Sequence, residues 1–275
     1  MENKKRFNQI VENIKNIKIQ GARNIARAAL YACSIYPGNC LIHKDAKNRL
    51  INARPTEPML VNTLHNYEKL GYKKILAHFD SAQNKINKLV LKLIKKDSVV
   101  FTHCHSSAVV NSLVYAKKHK RSFEVYNTET RPLFQGRKTA SELRKAGIKV
   151  TSFVDSAIDI ALEKKQGTKK ADLILLGADA ILNDGVINKV GSGMIAELAS
   201  LHRIPLYILA DSWKYSSHHV KIEERDFHEV WKNVPSHIKV RNPAFEKIEK
   251  KNISKIVSEL GVLSYNQFLN RVREK

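Results

Sequence analysis

"DSVVFTHCHSSAVVNSLVYAKKHK", residues 97–120, reads as a short apolar strand that turns directly into a helix. Val99, Val100 and Phe101 form the strand. From Ser107 onward, apolar residues recur at three- and four-residue spacing, the period of a helix face. The same unit repeats downstream. "SFEVYNT" precedes the helical "TASELRKAG", "KVTSFV" precedes "SAIDIALEKK", and "DLILLGA" precedes "GSGMIAELASLH", before a further strand, "PLYILA". Strands alternating with crossover helices imply a parallel sheet with helices on both faces.

Upstream of residue 97 the pattern is helical. "NKKRFNQIVENIKNIK", "ARNIARAALYACSIY" and a long run from Glu57 to Lys96 carry the helix period, and Pro37-Gly38 and Arg54-Pro55 punctuate them as loops. The expected fold class is α/β. A helical N-terminal domain, residues 1–97, is followed by a Rossmann-like, mostly parallel sheet domain, residues 98–275. No internal repeat or low-complexity segment interrupts either.

The 275 residues hold 48 Lys+Arg against 26 Asp+Glu, a formal charge of +22. Such a balance suits a nucleic acid or a phosphorylated substrate. The densest run, "KKHKR" at 117–121, falls where a helix should end, a position that favours cations on its own. No aromatic residues interleave with the basic ones as a base-stacking surface needs, so a nucleic-acid partner is not expected. No run of about 18 apolar residues suggests a membrane span. The N-terminal stretch lacks the apolar segment of a secretory signal, and a cytoplasmic location is expected. Cys33, Cys40 and Cys104 make an odd set without framework spacing, which predicts reduced thiols.

In an open parallel sheet, ligands bind beyond the carboxyl ends of the strands. The residues there are His103-Cys104-His105, Glu129-Thr130-Arg131, Asp155-Ser156, Asp179 and Asp211-Ser212. Cys104 is the one to weigh. As a metal ligand it is poorly placed, because neighbouring strand residues point to opposite faces and no CxxC or HxxxH partner exists. No metal and no cofactor is expected. A lone thiol is commonly a small core residue. Cys104, however, sits at a strand's carboxyl end just before a helix, where a thiolate is favoured.

"GSGMIA", residues 191–196, imitates a dinucleotide fingerprint but lacks the acidic residue about 20 positions on. Small residues opening a helix, behind Asn188 and Lys189, suit a phosphate-sized anion better. "QGARNIARAA" at 20–29 offers a second such site, with Gly21 ahead of a helix and Arg23 and Arg27 nearby, or else an ordinary loop-to-helix junction.

"THCHSS" (102–107), "NTETRPLFQGRKTASEL" (127–143), "VDSA" (154–157), "LLGADAILNDGVINKVGSGMIAELA" (175–199) and "RNPAFE" (241–246) together resemble the archaeal ribose-1,5-bisphosphate isomerase family. The resemblance is strong over roughly residues 98–260 and extends to "QGARNIARAA" and "INARPTEP" (51–58). That family sits in a wider group with methylthioribose-1-phosphate isomerase and the α, β and δ regulatory subunits of the exchange factor for initiation factor two. The isomerases carry a cysteine in "THC" and an aspartate in "GAD". Both stand here, as Cys104 and Asp179.

The resemblance implies an aldose–ketose isomerase acting on ribose 1,5-bisphosphate in nucleotide (AMP) salvage. Asp179 would be the acid that opens the ring, and Cys104 the base at C2. A hydride shift is the alternative route, methylthioribose 1-phosphate the alternative substrate, and a non-catalytic regulatory subunit the alternative class. One phosphate would fall to Gly21, Ala22 and Arg23 with Arg54, the other to Ser106, Ser107 and Ala108. Arg131, Gln135, Asn188, Lys189 and Lys214 would line the same cleft. From the residues alone, Asp179 could instead cap a turn, and Arg131 could hold Glu129 or a neighbouring carboxylate. Two positions depart from the family: Gln20 replaces an arginine, and Ser107 a lysine. A homo-oligomer, a dimer or a hexamer of dimers, is implied as well, and a nucleotide activator is compatible with it.

Overall fold

The computed structural model describes residues 2–36 and 43–274. Four helices come first: α1 (Glu2–Lys15), α2 (Ala22–Ile35), α3 (Lys44–Ala53) and α4 (Pro58–Leu93). Their apolar faces meet in a core that includes Phe7, Ile14, Ile25, Leu50 and Leu64. The run from Glu57 onward is not one straight helix. Gly71 adopts φ 73°, ψ 168° and kinks α4. Beyond the kink, Ile86, Val90 and Ile94 pack with sheet residues such as Val100, Val125 and Leu175. Pro37-Gly38 lies outside the described residues.

The strand–helix alternation is as the periodicity predicts. β1 (Ser98–Thr102), α5 (Ser107–Lys118), β2 (Phe123–Thr128), α6 (Gln135–Lys145), β3 (Lys149–Phe153), α7 (Ile158–Leu162) and β4 (Leu173–Leu176) follow in order. After them come β5 (Ala180–Ile181), β6 (Gly185–Lys189), α8 (Ser192–Leu201), β7 (Leu206–Leu209), β8 (Phe245–Glu249), β9 (Lys255–Ser258), β10 (Gly261–Leu263) and α9 (Tyr265–Arg273). The main sheet has seven strands in the order β10-β9-β7-β4-β1-β2-β3. All its pairs are parallel except β10 with β9. Chain order therefore runs one way from β1 through β2 to β3, and the other way from β4 through β7 to β9. The reversal falls between β1 and β4, the switch point where a doubly wound sheet opens a ligand crevice.

A second, antiparallel sheet, β5-β6-β8, lies just after β4. No residue period announces it, because β5 has only two residues. Cys33 is disulfide-bonded, which corrects the expectation of three reduced thiols, while Cys104 is free. Odd-count arithmetic misses a bridge that leaves one thiol over. No helix among the described residues is long and apolar enough to cross a membrane.

Candidate active site

The crevice at the switch point is a real cleft. Cys104 lies on its wall two residues after β1, and Asp179 three residues after β4. Of the residues named from the sequence, Gln20, Gly21, Ala22, Arg23, Arg54, Ser106, Ser107, Gln135, Asn188, Lys189 and Lys214 line it too. Ala108 and Arg131 are not on the wall. Ala108 is turned into the α5 core. Arg131 is exposed, lies 4.9 Å from the Phe134 ring centroid, and donates to the Val230 carbonyl. Glu129 is held by Arg137 at 2.7 Å, not by Arg131.

Most strand-end carboxylates prove to be occupied. Asp155 accepts from the Thr130 and Arg131 amides at 2.8 and 2.6 Å. Asp211 accepts from the Trp213 amide at 2.9 Å and pairs with His78 at 3.1 Å. His78, Asp211 and Glu259 bring three potential metal donors within 4.8 Å of one another. Their atoms are already used, because Glu259 also accepts from the Ser212 amide at 3.0 Å. Asp179 differs. It faces the cleft among Lys214, Arg54 and Lys189, and burial raises its carboxyl above the usual range although those cations oppose the rise.

Cys104 is held in left-handed backbone conformation, φ 64°, sparsely populated for a non-glycine residue and common at functional sites. Its amide donates to Thr130 at 3.0 Å and its carbonyl accepts from Thr139 at 2.8 Å. Burial pushes its thiol up to about 12, so the thiolate expected from the helix N-terminus is not the resting form. Desolvation outweighs the helix end here. His103 is structural. It is buried and neutral, with Thr128 and the Val190 carbonyl on its two ring nitrogens.

Two helix N-termini meet the cleft. α5 begins behind Ser106, with no side-chain cap among the described residues, and Ser106 fits only because residue 177 is glycine: a Cβ there would lie 2.5 Å from Ser106 Oγ. α2 begins behind Gly21, φ 85°. Around them stand cations. Arg23 reaches Asp80 at 2.7 Å, and Arg54 is bidentate to Glu223 at 2.7 and 3.3 Å. Lys214 donates to the Ala178 carbonyl. Gln135 keeps a buried side-chain oxygen without a partner.

The third such helix end does not serve as expected. α8 starts behind Gly191, but the Gly193 amide already donates to Glu246 Oε1 at 2.6 Å. The chain's own carboxylate fills that anion site, and Asn188 is bonded to Ser192.

Sequence reasoning also missed wall residues. Lys138 lines the cleft beside the expected His105, Arg225 reaches it from the segment after β7, and Glu57 lies at the foot of α4. Glu57 is 2% exposed, and its Oε2 has no hydrogen-bond partner. A signal for it exists: Pro58 sets the first helical turn, so the N-cap is a glutamate where Ser, Thr, Asp or Asn is preferred.

A parallel sheet with an N-terminal helical region and this cleft at its switch point define a class of α/β protein shared with known chains. Residues 67–265 match the Initiation factor 2 subunit family, and the protein belongs to it. It is 33% identical to the ribose 1,5-bisphosphate isomerase of Methanocaldococcus jannaschii, over 92% of this chain and 89% of that one. A putative methylthioribose-1-phosphate isomerase of the same organism is 31% identical, over 96% and 87%. Among solved structures, a translation initiation factor eIF-2B from Pyrococcus horikoshii OT3 superposes with a TM-score of 0.81 at 24% identity, covering 94% of this chain and 97% of that one. That likeness speaks to the fold.

Proposed function

We propose that the protein is an aldose–ketose isomerase that converts ribose 1,5-bisphosphate to ribulose 1,5-bisphosphate in nucleotide salvage. The observation that carries this reading is the meeting of Cys104 and Asp179 in one cleft between two uncapped helix N-termini. A bisphosphate needs an anion site at each end, and helix N-termini supply them. Relatives bearing this activity by name cover most of the chain.

The chemistry follows from protonation. With C1 blocked by phosphate, the furanose ring must open before the carbonyl can move. Burial strengthens the hold of the Asp179 carboxyl on a proton, which suits it to protonate the ring oxygen. In the proton-transfer route, Cys104 thiolate then takes the C2 hydrogen and returns a proton to C1. Asp179 carboxylate takes back the proton of the C2 hydroxyl as the ketone forms. Burial works against the thiolate, and Lys189 favours it. The second route moves the C2 hydrogen to C1 as hydride and asks only for the Asp179 acid. Methylthioribose 1-phosphate remains the second substrate, because Ser107 removes the charge expected beside one phosphate. The pair of chemically competent residues disfavours a purely regulatory role. We also read the protein as a homo-oligomer.

Cys104→Ser and Asp179→Asn test the roles. Each should abolish turnover of ribose 1,5-bisphosphate while leaving the protein folded. Full activity in either variant would remove that residue from the mechanism. Substrate deuterated at C2 separates the routes when read with Cys104→Ser: loss of deuterium to water means proton transfer, and deuterium retained at C1 by a Cys104→Ser variant that still turns over means hydride transfer.

A further inference from the structure

Glu57 is a buried carboxyl for which the mechanism above has no use. It stands on the cleft wall, nearly excluded from water, with Oε2 unpartnered. Its backbone is fixed on both sides, since its amide donates to Arg54 and its carbonyl accepts from Leu60. A buried polar atom left without a partner is costly and calls for an explanation. A cap does not supply one, because the Glu57 side chain makes no capping bond.

What faces Glu57 supplies it. Asp179 comes from the segment after β4, Lys214 from the turn after β7, Arg54 from the end of α3 and Glu223 from the segment after β7. Arg54 is engaged by Glu223 and Lys214 by the Ala178 carbonyl, so these cations do not simply neutralise the two carboxyls. Asp179 sees the same groups and, in addition, Lys189 and the Cys104 thiol. Two carboxyls in one water-poor pocket resist ionising together, and the first charge raises the affinity of the second for its proton.

We propose that Glu57 is a positioning residue that forms a dyad with Asp179, the two carboxyls holding one proton between them that Asp179 delivers once substrate arrives. The proposal rests on the isomerase reading for its use in catalysis, though not for the dyad itself. Burial and the Asp179 charge together push Glu57 up to about 8, which places the loss of the shared proton in a measurable range. No bond beyond O–H is made or broken. The proton passes from the Glu57 carboxyl to the Asp179 carboxylate, then to the ring oxygen, and returns from the C2 hydroxyl.

The test uses the whole protein with 13C-carboxyl glutamate, titrated by NMR, with Glu57→Gln to assign the signal. A Glu57 titration near 8 should move down by about one unit or more in Asp179→Asn, once the neighbouring charge is gone. Glu57 titrating at the same pH in both proteins would overturn the dyad. In turnover, Glu57→Gln should shift the basic limb of the kcat profile to lower pH. The loss at pH 8 should be about tenfold, at nearly unchanged KM. Glu57→Asp should restore the limb, and a purely structural side chain would instead lower activity equally at every pH. A shifted titration in a wild-type protein that does not turn over ribose 1,5-bisphosphate would sink the substrate and leave the dyad standing. A shifted titration with an unmoved kcat profile would sink the positioning role.

Discussion

The N-termini of α5 and α8 look alike in sequence, each a run of small residues following an apolar strand, yet they end up with opposite fates. At α8 the amide of Gly193 is bonded to Glu246, a carboxylate from β8 more than 50 residues on. At α5 no side chain among the described residues caps the helix, and Ser106 and Ser107 open onto the cleft. Both are electropositive ends of helices. What differs is whether the fold itself supplies the anion. An anion site is thus made by leaving a helix end empty, and only the tertiary structure says which end that is.

The sharpest way to break this contrast is Gly177→Ala. Its Cβ would fall 2.5 Å from Ser106 Oγ and push the start of α5 out of place. Displacing a positioned anion site by about an ångström is expected to cost about 100-fold in kcat/KM with ribose 1,5-bisphosphate. Gly191→Ala meets the structural His103 ring at 3.1 Å on a backbone of φ 101°, so its loss should appear mainly in thermal unfolding. If both variants lost only stability, the two helix ends would be equivalent after all.

Next in size is Ser107→Glu, which gives α5 the carboxylate that α8 already has. The phosphate would then meet a like charge in place of a hydroxyl. Removal of a charged hydrogen bond, about 1.5–3 kcal/mol, sets the scale, and KM should rise by about 10- to 150-fold. An unchanged KM would place the phosphate elsewhere. Glu246→Gln is the converse. It weakens the bond to Gly193 and should lower stability by about 1 kcal/mol in urea unfolding, with KM untouched.

A further effect is on stability against pH. Burial and the Asp179 charge push the Glu57 carboxyl up from its ordinary 4.5 to about 8 in the fold. Between these values the folded protein binds the extra proton, so stability is greatest at the acid end and falls as pH rises towards 8. Chemical unfolding of Glu57→Gln between pH 5 and 8 should show a shallower decline than wild type.

The strands that carry the cleft were legible because each is short, apolar and followed by a helix. β1, β2, β3, β4 and β7 all lie where the periodicity places them, and Cys104 and Asp179 were found by looking just past their ends. The antiparallel β5-β6-β8 sheet was not legible, since its pairing joins segments about 60 residues apart. The order of strands, and so the switch point, is likewise a long-range property. The same reason hides Glu57. Its neighbours Asp179, Lys214 and Glu223 are more than 120 positions away, and only the unusual N-cap before Pro58 hints at it. Local chemistry also misjudged Cys104: the helix start that would favour a thiolate is visible in sequence, but the burial that opposes it is not.

Isomerisation of a pentose carrying phosphates at both ends is the reaction proposed for this cleft. It is tested most directly by 31P NMR of the purified, folded protein given ribose 1,5-bisphosphate and methylthioribose 1-phosphate in one tube. Conversion of the first to ribulose 1,5-bisphosphate, with the second largely untouched, is expected. Consumption of neither, or of the methylthio sugar alone, would contradict it.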